Sequence, residues 1–315
     1  MDAAKPRVLA FSPIGVDACF SQLYLYALNQ ASGNVGDAKP PSAAESKRVR
    51  FANKLPRGVV VAAAGNGADV LALQSVLDTA GVGGRIPPDL ERDALIGVSS
   101  VVYSFAWPYS MLWHGKETEG RFFLNGNENH SFAAKIHRKE FDAAVVYVER
   151  ADDYDVSVAM VGMPDNLPRA LRNAKDNDDL MAALTDMHAD IVNNRDADQD
   201  PPPLGKLTLA TIDDVSGFNL RSVVGRSLPG GVAVTQAMHA CRLYMNKDGG
   251  GVRAGTAMIS KGLSMDARTP VNIDFCAFRN GYLVAIEMTR RNVADRAPAT
   301  LVLAWVNVPA KIAAQ

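Results

Sequence analysis

The sequence predicts an α+β fold, and three observations lead there. Long runs rich in apolar and β-branched residues, GVAVTQAMHACRLYM (231–245), NGYLVAIEM (280–288) and TLVLAWVNV (300–308), suit buried strands. Apolar residues recur at helical spacing early in the chain, at Val16, Phe20, Leu23 and Ala27, and again over 68–79. Strands and helices do not alternate as regular βαβ units, and no internal repeat is present. At 315 residues and 48% hydrophobic content, the chain is long enough for a large core.

A short strand is expected over Arg7–Pro13, followed by a helix over 15–32 that ends near Gly33. GDAKPPSAAESK (36–47) is polar with two prolines and reads as a solvated loop, with strands expected at VRFANKL (49–55) and RGVVVAAA (57–64). ADVLALQSVLDT (68–79) carries a helical stripe that the glycines of the following TAGVGGRI close. LIGVSSVVYSFAW (95–107) alternates too little for a half-exposed strand and is placed in a covered sheet. FDAAVVYV (141–148) and YDVSVAMVGMP (154–164) read as a strand pair, 165–189 as helical segments on the surface, and DADQDPPP (196–203) as a mobile loop. LTLATID (207–213) and a short helix around 217–226 then lead to the C-terminal strands. The small-residue run NKDGGGVRAGTAMISKG (246–262) lies between two of these strands, and a segment of that length without structure of its own is usually functional.

Composition excludes several function classes. Lys plus Arg number 33 against 34 Asp plus Glu, a net charge of −1 that argues against nucleic acid or an anionic membrane as the main partner. No apolar stretch approaches the roughly 20 residues of a membrane span, and no signal-peptide pattern opens the chain, so an intracellular, cytoplasmic setting is expected. Cys19, Cys241 and Cys276 form an odd set without a CxxC pair, which reads as free thiols in a reducing compartment. Gly65 and Gly67 before a helix lack the third glycine and the Lys-Ser/Thr of a phosphate loop. Asp196, Asp198 and Asp200 alternate like the opening of a calcium loop, but prolines follow where a glycine turn is required. His114, His130, His137, His188 and His239 show no metal-ligand spacing, and no serine sits in a GxSxG elbow. Neither an enzyme nor a cofactor or metal is expected. His239 stands out because it lies within an otherwise apolar strand, where a buried imidazole needs hydrogen-bond partners.

Eight segments, in order along nearly the whole chain, resemble motifs of the serpin family. AFSPIGVDACFSQLYL (10–25) resembles the FSPxSI strand-to-helix opening, and FANKL (51–55) the ANxLF strand. TAGVGGRIPPDL, ending at Leu90, resembles TxGKIxxLL, and VSSVVYSFAW (98–107) resembles VNAxYFKGxW with its tryptophan kept as Trp107. YDVSVAMVGMPDNL (154–167) resembles DxSMxxxLP, and VTQAMHACRLYMNKDGG (234–250) resembles VSxVxHKxxxxVNEEG. FRNGYLVAIE (278–287) resembles FxxxxPFxFxI, and LVLAWVNVP (301–309) the closing ILFxGxVxNP.

The resemblance implies one domain over 1–315, with a large central sheet, two smaller sheets, surrounding helices and an exposed reactive-centre-type loop at 247–270. In an inhibitory serpin a protease cleaves that loop, which then inserts into the central sheet as a new strand and distorts the attached protease. The hinge match is Gly251-Val252-Arg253-Ala254-Gly255-Thr256-Ala257, similar to GTEAAAA. Alternation puts Val252, Ala254 and Thr256 on one face and Arg253 on the other, so the inward face tolerates burial. Family spacing from Gly251 places the scissile bond at Met265-Asp266; counting from Gly249 places it at Leu263-Ser264, and Arg268 is a further candidate.

Ser12 and His239 match the family's shutter cluster, whereas Gly15 stands where serine is usual and Ser99 where asparagine is usual. The family's first helix is expected to be absent and the span from Asn34 to Gly67 shortened. Two functions follow from the resemblance. The first is a non-inhibitory binding or structural module with a protein partner, or an oligomer or larger assembly covering exposed apolar surface. The second is a suicide inhibitor of a serine or cysteine endopeptidase.

Overall fold

The computed structural model describes residues 5–53, 58–81, 85–87, 91–114, 120–127, 129–135, 141–163, 173–176, 179–180, 182–186, 188, 203–220, 223–251, 270–291 and 298–309. Strand β1 (Arg7–Phe11) leads directly into helix α1 (Pro13–Gln30). Ser12 caps that helix by accepting from the Gly15 amide, and Pro13 occupies the first turn, where no amide hydrogen is needed. The helix stops as the sequence predicts, with Ser32 and Gly33 both at positive φ.

Helix α2 (Ala43–Ala52) corrects the expected loop at 36–47 and strand at 49–55. The deciding signal is a capping box. The Ser42 hydroxyl accepts from the Glu45 amide, and the Glu45 carboxylate accepts from the Ser42 amide. One β-branched residue, Val49, does not outweigh it. Strand β2 (Gly58–Gly65), helix α3 (Val70–Ala80) and strand β3 (Ile96–Ala106) then follow the predicted order, and Gly81 closes α3 at a φ of 62°.

The remaining strands are β4 (Arg121–Asn125), β5 (Ser131–Lys135), β6 (Phe141–Arg150), β7 (Tyr154–Gly162), β8 (Leu204–Ala210) and β9 (Ile212–Asn219). After them come β10 (Ser227–Leu228), β11 (Val232–Ala233), β12 (Met238–Asn246), β13 (Gly249–Gly251), β14 (Val271–Asp274), β15 (Tyr282–Arg290) and β16 (Ala299–Asn307). The helix expected around 217–226 is not formed: β9 continues to Asn219 and residues 223–225 turn. Its ladder with β12, from Met238↔Asn219 to Met245↔Ile212, claims those backbone groups.

Four sheets result. The largest is six-stranded, in the order β1-β16-β15-β7-β6-β5, and every pairing in it is antiparallel. A five-stranded sheet runs β2-β3-β13-β12-β9, a three-stranded one runs β14-β8-β4, and β10-β11 is a two-stranded ribbon. The six-stranded sheet is buried on both faces, which is why β15 reads as an apolar run without alternation. Tyr282, Val284 and Ile286 join the main core, and Leu283 and Ala285 pack with Leu184 on the other side.

That second face modifies the expectation for 165–189. Among the described residues of that segment, Leu184 is fully buried and His188 nearly so, so this part of it is docked on the sheet. The five-stranded sheet is also covered twice, by α1 on one face and by α3 through Leu73 against Ile96 and Val98 on the other. Cys19, Cys241 and Cys276 are free thiols, and the two buried apolar ones are pushed up to about 12 by desolvation, as is Cys19. Among the described residues no helix is long and apolar enough to cross a membrane.

Candidate functional site

The site is the seam between β3 and β12 in the five-stranded sheet. β3 pairs along Ile96–Tyr103 with β2, and β12 pairs along Met238–Met245 with β9, so each is held on its outer side. Between them, at one end only, lies β13. Gly249, Gly250 and Gly251 pair with Ala106, Phe105 and Ser104 of β3, while Gly249 and Gly250 pair with Asn246 and Met245 of β12. A strand in that position sets its two neighbours two strand spacings apart, about 9.5 Å. Among the described residues no ladder joins β3 directly to β12 beyond β13.

The turn that launches β13 is fixed from both sides. Trp107 Nε1 donates to the Asn246 carbonyl at 2.7 Å, and the Asp248 amide donates to Asn246 Oδ1 at 2.9 Å. Gly249 sits at a φ of 151°, and a Cβ there would overlap the Phe105 carbonyl, so this position is specific to glycine. Gly250 is held against the Phe105 ring in the same way.

Away from β13 the seam is crossed by the first turn of α1. The Ser12 amide donates to His239 Nε2 on β12 at 3.0 Å, and the Ser99 hydroxyl on β3 donates to the Gly15 carbonyl at 2.6 Å. The Ser12 hydroxyl closes the path by accepting from the Gly15 amide at 3.2 Å. The three residues singled out in the sequence, Ser12, Ser99 and His239, are therefore brought together, with Gly15 as the link. Burial lowers the His239 pKa to about 4. An imidazole that accepts at Nε2 is neutral with its proton on Nδ1, so charge and hydrogen bond agree.

The latch residues Ser12, Gly15, Ser99 and His239 themselves border a cavity of ≈ 1170 Å³ along the seam. Its walls include Val98 and Ser100 of β3, Ala240 and Leu243 of β12, and Val16 and Phe20 of α1. Of the predicted hinge, Gly251 is in β13, whereas Val252, Arg253, Ala254, Gly255, Thr256 and Ala257 lie outside the described residues. The candidate scissile positions Leu263, Ser264, Met265, Asp266 and Arg268 also lie outside them.

One pair escaped the sequence reading. His188 Nε2 and Glu287 Oε1 lie 2.7 Å apart, with the residues 7% and 2% exposed, which ties a helical residue to the middle of the six-stranded sheet. The usable signal was Glu287 itself, an acid in the otherwise apolar run YLVAIEM, since a buried carboxylate requires a partner.

No protein-family model and no curated protein matches the chain. Among solved structures it is similar to thyroxine-binding globulin in complex with thyroxine, with a TM-score of 0.47 and 10% identity over 95% of this chain and 92% of that one. It is also similar to Serpin48, described as a highly specific serpin of the insect Tenebrio molitor, with a TM-score of 0.48 and 10% identity over 96% of this chain and 92% of that one.

Proposed function

We propose that this chain is a serpin-type suicide inhibitor of an endopeptidase, acting by insertion of its loop into the seam of the five-stranded sheet. The observation that carries the reading is the seam itself: β13, the first strand of the predicted loop segment, is already paired between β3 and β12, and a cavity is lined by the same two strands where β13 does not reach, along Ile96–Tyr103 and Met238–Leu243. Strand addition satisfies the backbone groups of the incoming segment on both sides, and the latch from α1 holds the seam against opening beforehand.

The non-inhibitory binding or structural module, with its own protein partner, draws on a different observation. Among the described residues the five-stranded sheet ends at β2, a strand of eight residues without a charge, which offers an edge at which a partner strand can pair. The two readings part on one experiment. The intact protein is incubated with serine and cysteine endopeptidases of differing specificity and resolved on a denaturing gel. Inhibition gives a covalent adduct of protease and chain, and Thr256→Arg abolishes the adduct while leaving thermal unfolding unchanged, because a charge on the inward face opposes burial. Cleavage within 252–269 with no adduct from any protease overturns the inhibitory reading.

A further inference from the structure

We infer that Asn129 is an acceptor for N-linked glycosylation, with its oligosaccharide standing at the edge of the six-stranded sheet. Asn129-His130-Ser131 is the single Asn-X-Ser/Thr sequence in the chain, and its central residue is not the proline that would forbid transfer. Such a sequence has meaning only at an accessible surface, and the fold puts it on one: Asn129 is exposed, in the turn between β4 and β5. The turn is held by backbone groups. The Asn129 amide donates to Asn127 Oδ1 at 3.0 Å, and the Asn129 carbonyl accepts from Arg150 Nη1 at 2.9 Å. Neither bond uses the side-chain amide of Asn129, so a substituent there leaves the turn intact. Ser131 Oγ accepts from the Asn127 amide at 2.8 Å and donates to the Asn127 carbonyl at 3.0 Å. That buried hydroxyl is open to a transferase only before the turn forms, which places the modification on the unfolded chain.

Two further observations agree with this site. Among the described residues β5 is the last strand of the six-stranded sheet, and it begins at Ser131, the third residue of the acceptor sequence. An unpaired strand edge is a template for association, and a bulky hydrated group beside it hinders approach. The compartments in which such transfer occurs are oxidising, where an accessible thiol is a liability. Cys19, Cys241 and Cys276 are the only cysteines in the sequence, all are free, and desolvation pushes each thiol up to about 12. Little thiolate is then available for disulfide exchange, so the fold does not require the reducing compartment expected from the odd cysteine count. The reaction is a group transfer without redox change. Asn129 Nδ2 bonds to the anomeric carbon of an oligosaccharide carried on a polyprenyl diphosphate. The bond from that carbon to the diphosphate oxygen breaks, the diphosphate leaves with the electron pair, and the amide gives up one proton. The site lies outside the seam and holds under either reading of function.

The test carries the full chain through the secretory pathway of cultured animal cells behind a cleavable leader, with product read from medium and lysate alike. The expected product is heavier than its sequence by one oligosaccharide. Peptide N-glycosidase F removes the excess and converts Asn129 to aspartate, located by peptide mass spectrometry. Asn129→Gln lacks the oligosaccharide and melts at the same temperature as the enzymatically deglycosylated parent. Ser131→Thr, whose hydroxyl keeps both the acceptor sequence and the bonds to Asn127, is glycosylated at least as fully. A parent chain with unmodified Asn129, or an oligosaccharide that survives in Asn129→Gln, overturns the acceptor. Enzymatic removal of the oligosaccharide from the native protein is expected to lower the concentration at which it associates in light scattering; unchanged association overturns the role at the β5 edge. Glycosylated product that collects as disulfide-linked dimers overturns the account of the thiols.

Discussion

The two ends of the β3–β12 seam are built on opposite principles. At one end three glycines run between the strands, and backbone packs on backbone so closely that Gly249 has no room for a Cβ. At the other, the strands are linked through the first turn of α1 by side chains, Ser99 to Gly15 and His239 to Ser12. The glycine end is a fixed anchor that a side chain at Gly249 or Gly250 strains. The latch end is a set of individual hydrogen bonds, each of which can be removed or titrated without disturbing the chain trace.

The sharpest way to break that contrast is at the anchor. Gly249→Ala forces a side chain into a positive-φ conformation and against the Phe105 carbonyl, and it is expected to cost on the order of 2–4 kcal/mol in urea unfolding. A cost below about 0.5 kcal/mol removes the anchor from the account. The latch gives the next largest effect, and it depends on pH. The folded protein keeps His239 neutral down to about pH 4, whereas the unfolded chain takes up a proton at about the ordinary 6.5. The unfolded state therefore binds more protons between those values, and stability falls as pH drops from 6.5 toward 4, by up to about 3 kcal/mol. His239→Gln flattens the difference between stability at pH 7 and at pH 5; an unaltered pH profile in that variant contradicts the assignment.

Smaller effects sharpen the comparison further. Ser99→Ala removes one hydrogen bond to a helix carbonyl and is expected to cost about 1 kcal/mol. Gly217→Ala, on β9 beside the latch, places a Cβ no closer than 3.9 Å to its nearest neighbour, the His239 carbonyl, and changes stability by less than about 0.5 kcal/mol. Equal losses at Gly217 and Gly249 show that the two ends of the seam do not differ as described.

Much of this was readable from residue types alone, and the reasons for the rest are specific. Ser12-Pro13 announces the start of α1, Gly81 the end of α3, and the apolar runs at 282–290 and 299–307 the paired strands of the six-stranded sheet. Ser12, Ser99 and His239 were identifiable as a group only through family resemblance, because the group joining them, the backbone of Gly15, leaves no mark on a hydrophobicity pattern. Helix α2 was hidden by prolines upstream and by the apolar Val49 and Phe51, although Ser42 and Glu45 carried its capping signal. The cavity was invisible for a different reason. Its two walls, Ser100 and Ala240, lie far apart in sequence, and a gap between strands is a property of what fails to pair.

The central claim, that the seam accepts the loop as a strand, is tested most directly by thermal unfolding before and after a single cleavage within 252–269, with the nick located by mass spectrometry. Insertion adds strand pairing on both sides of the seam and is expected to raise the melting temperature by about 10 °C or more, several kcal/mol at a few degrees each. A cleaved chain that melts at the same temperature as the intact one, or below it, contradicts insertion.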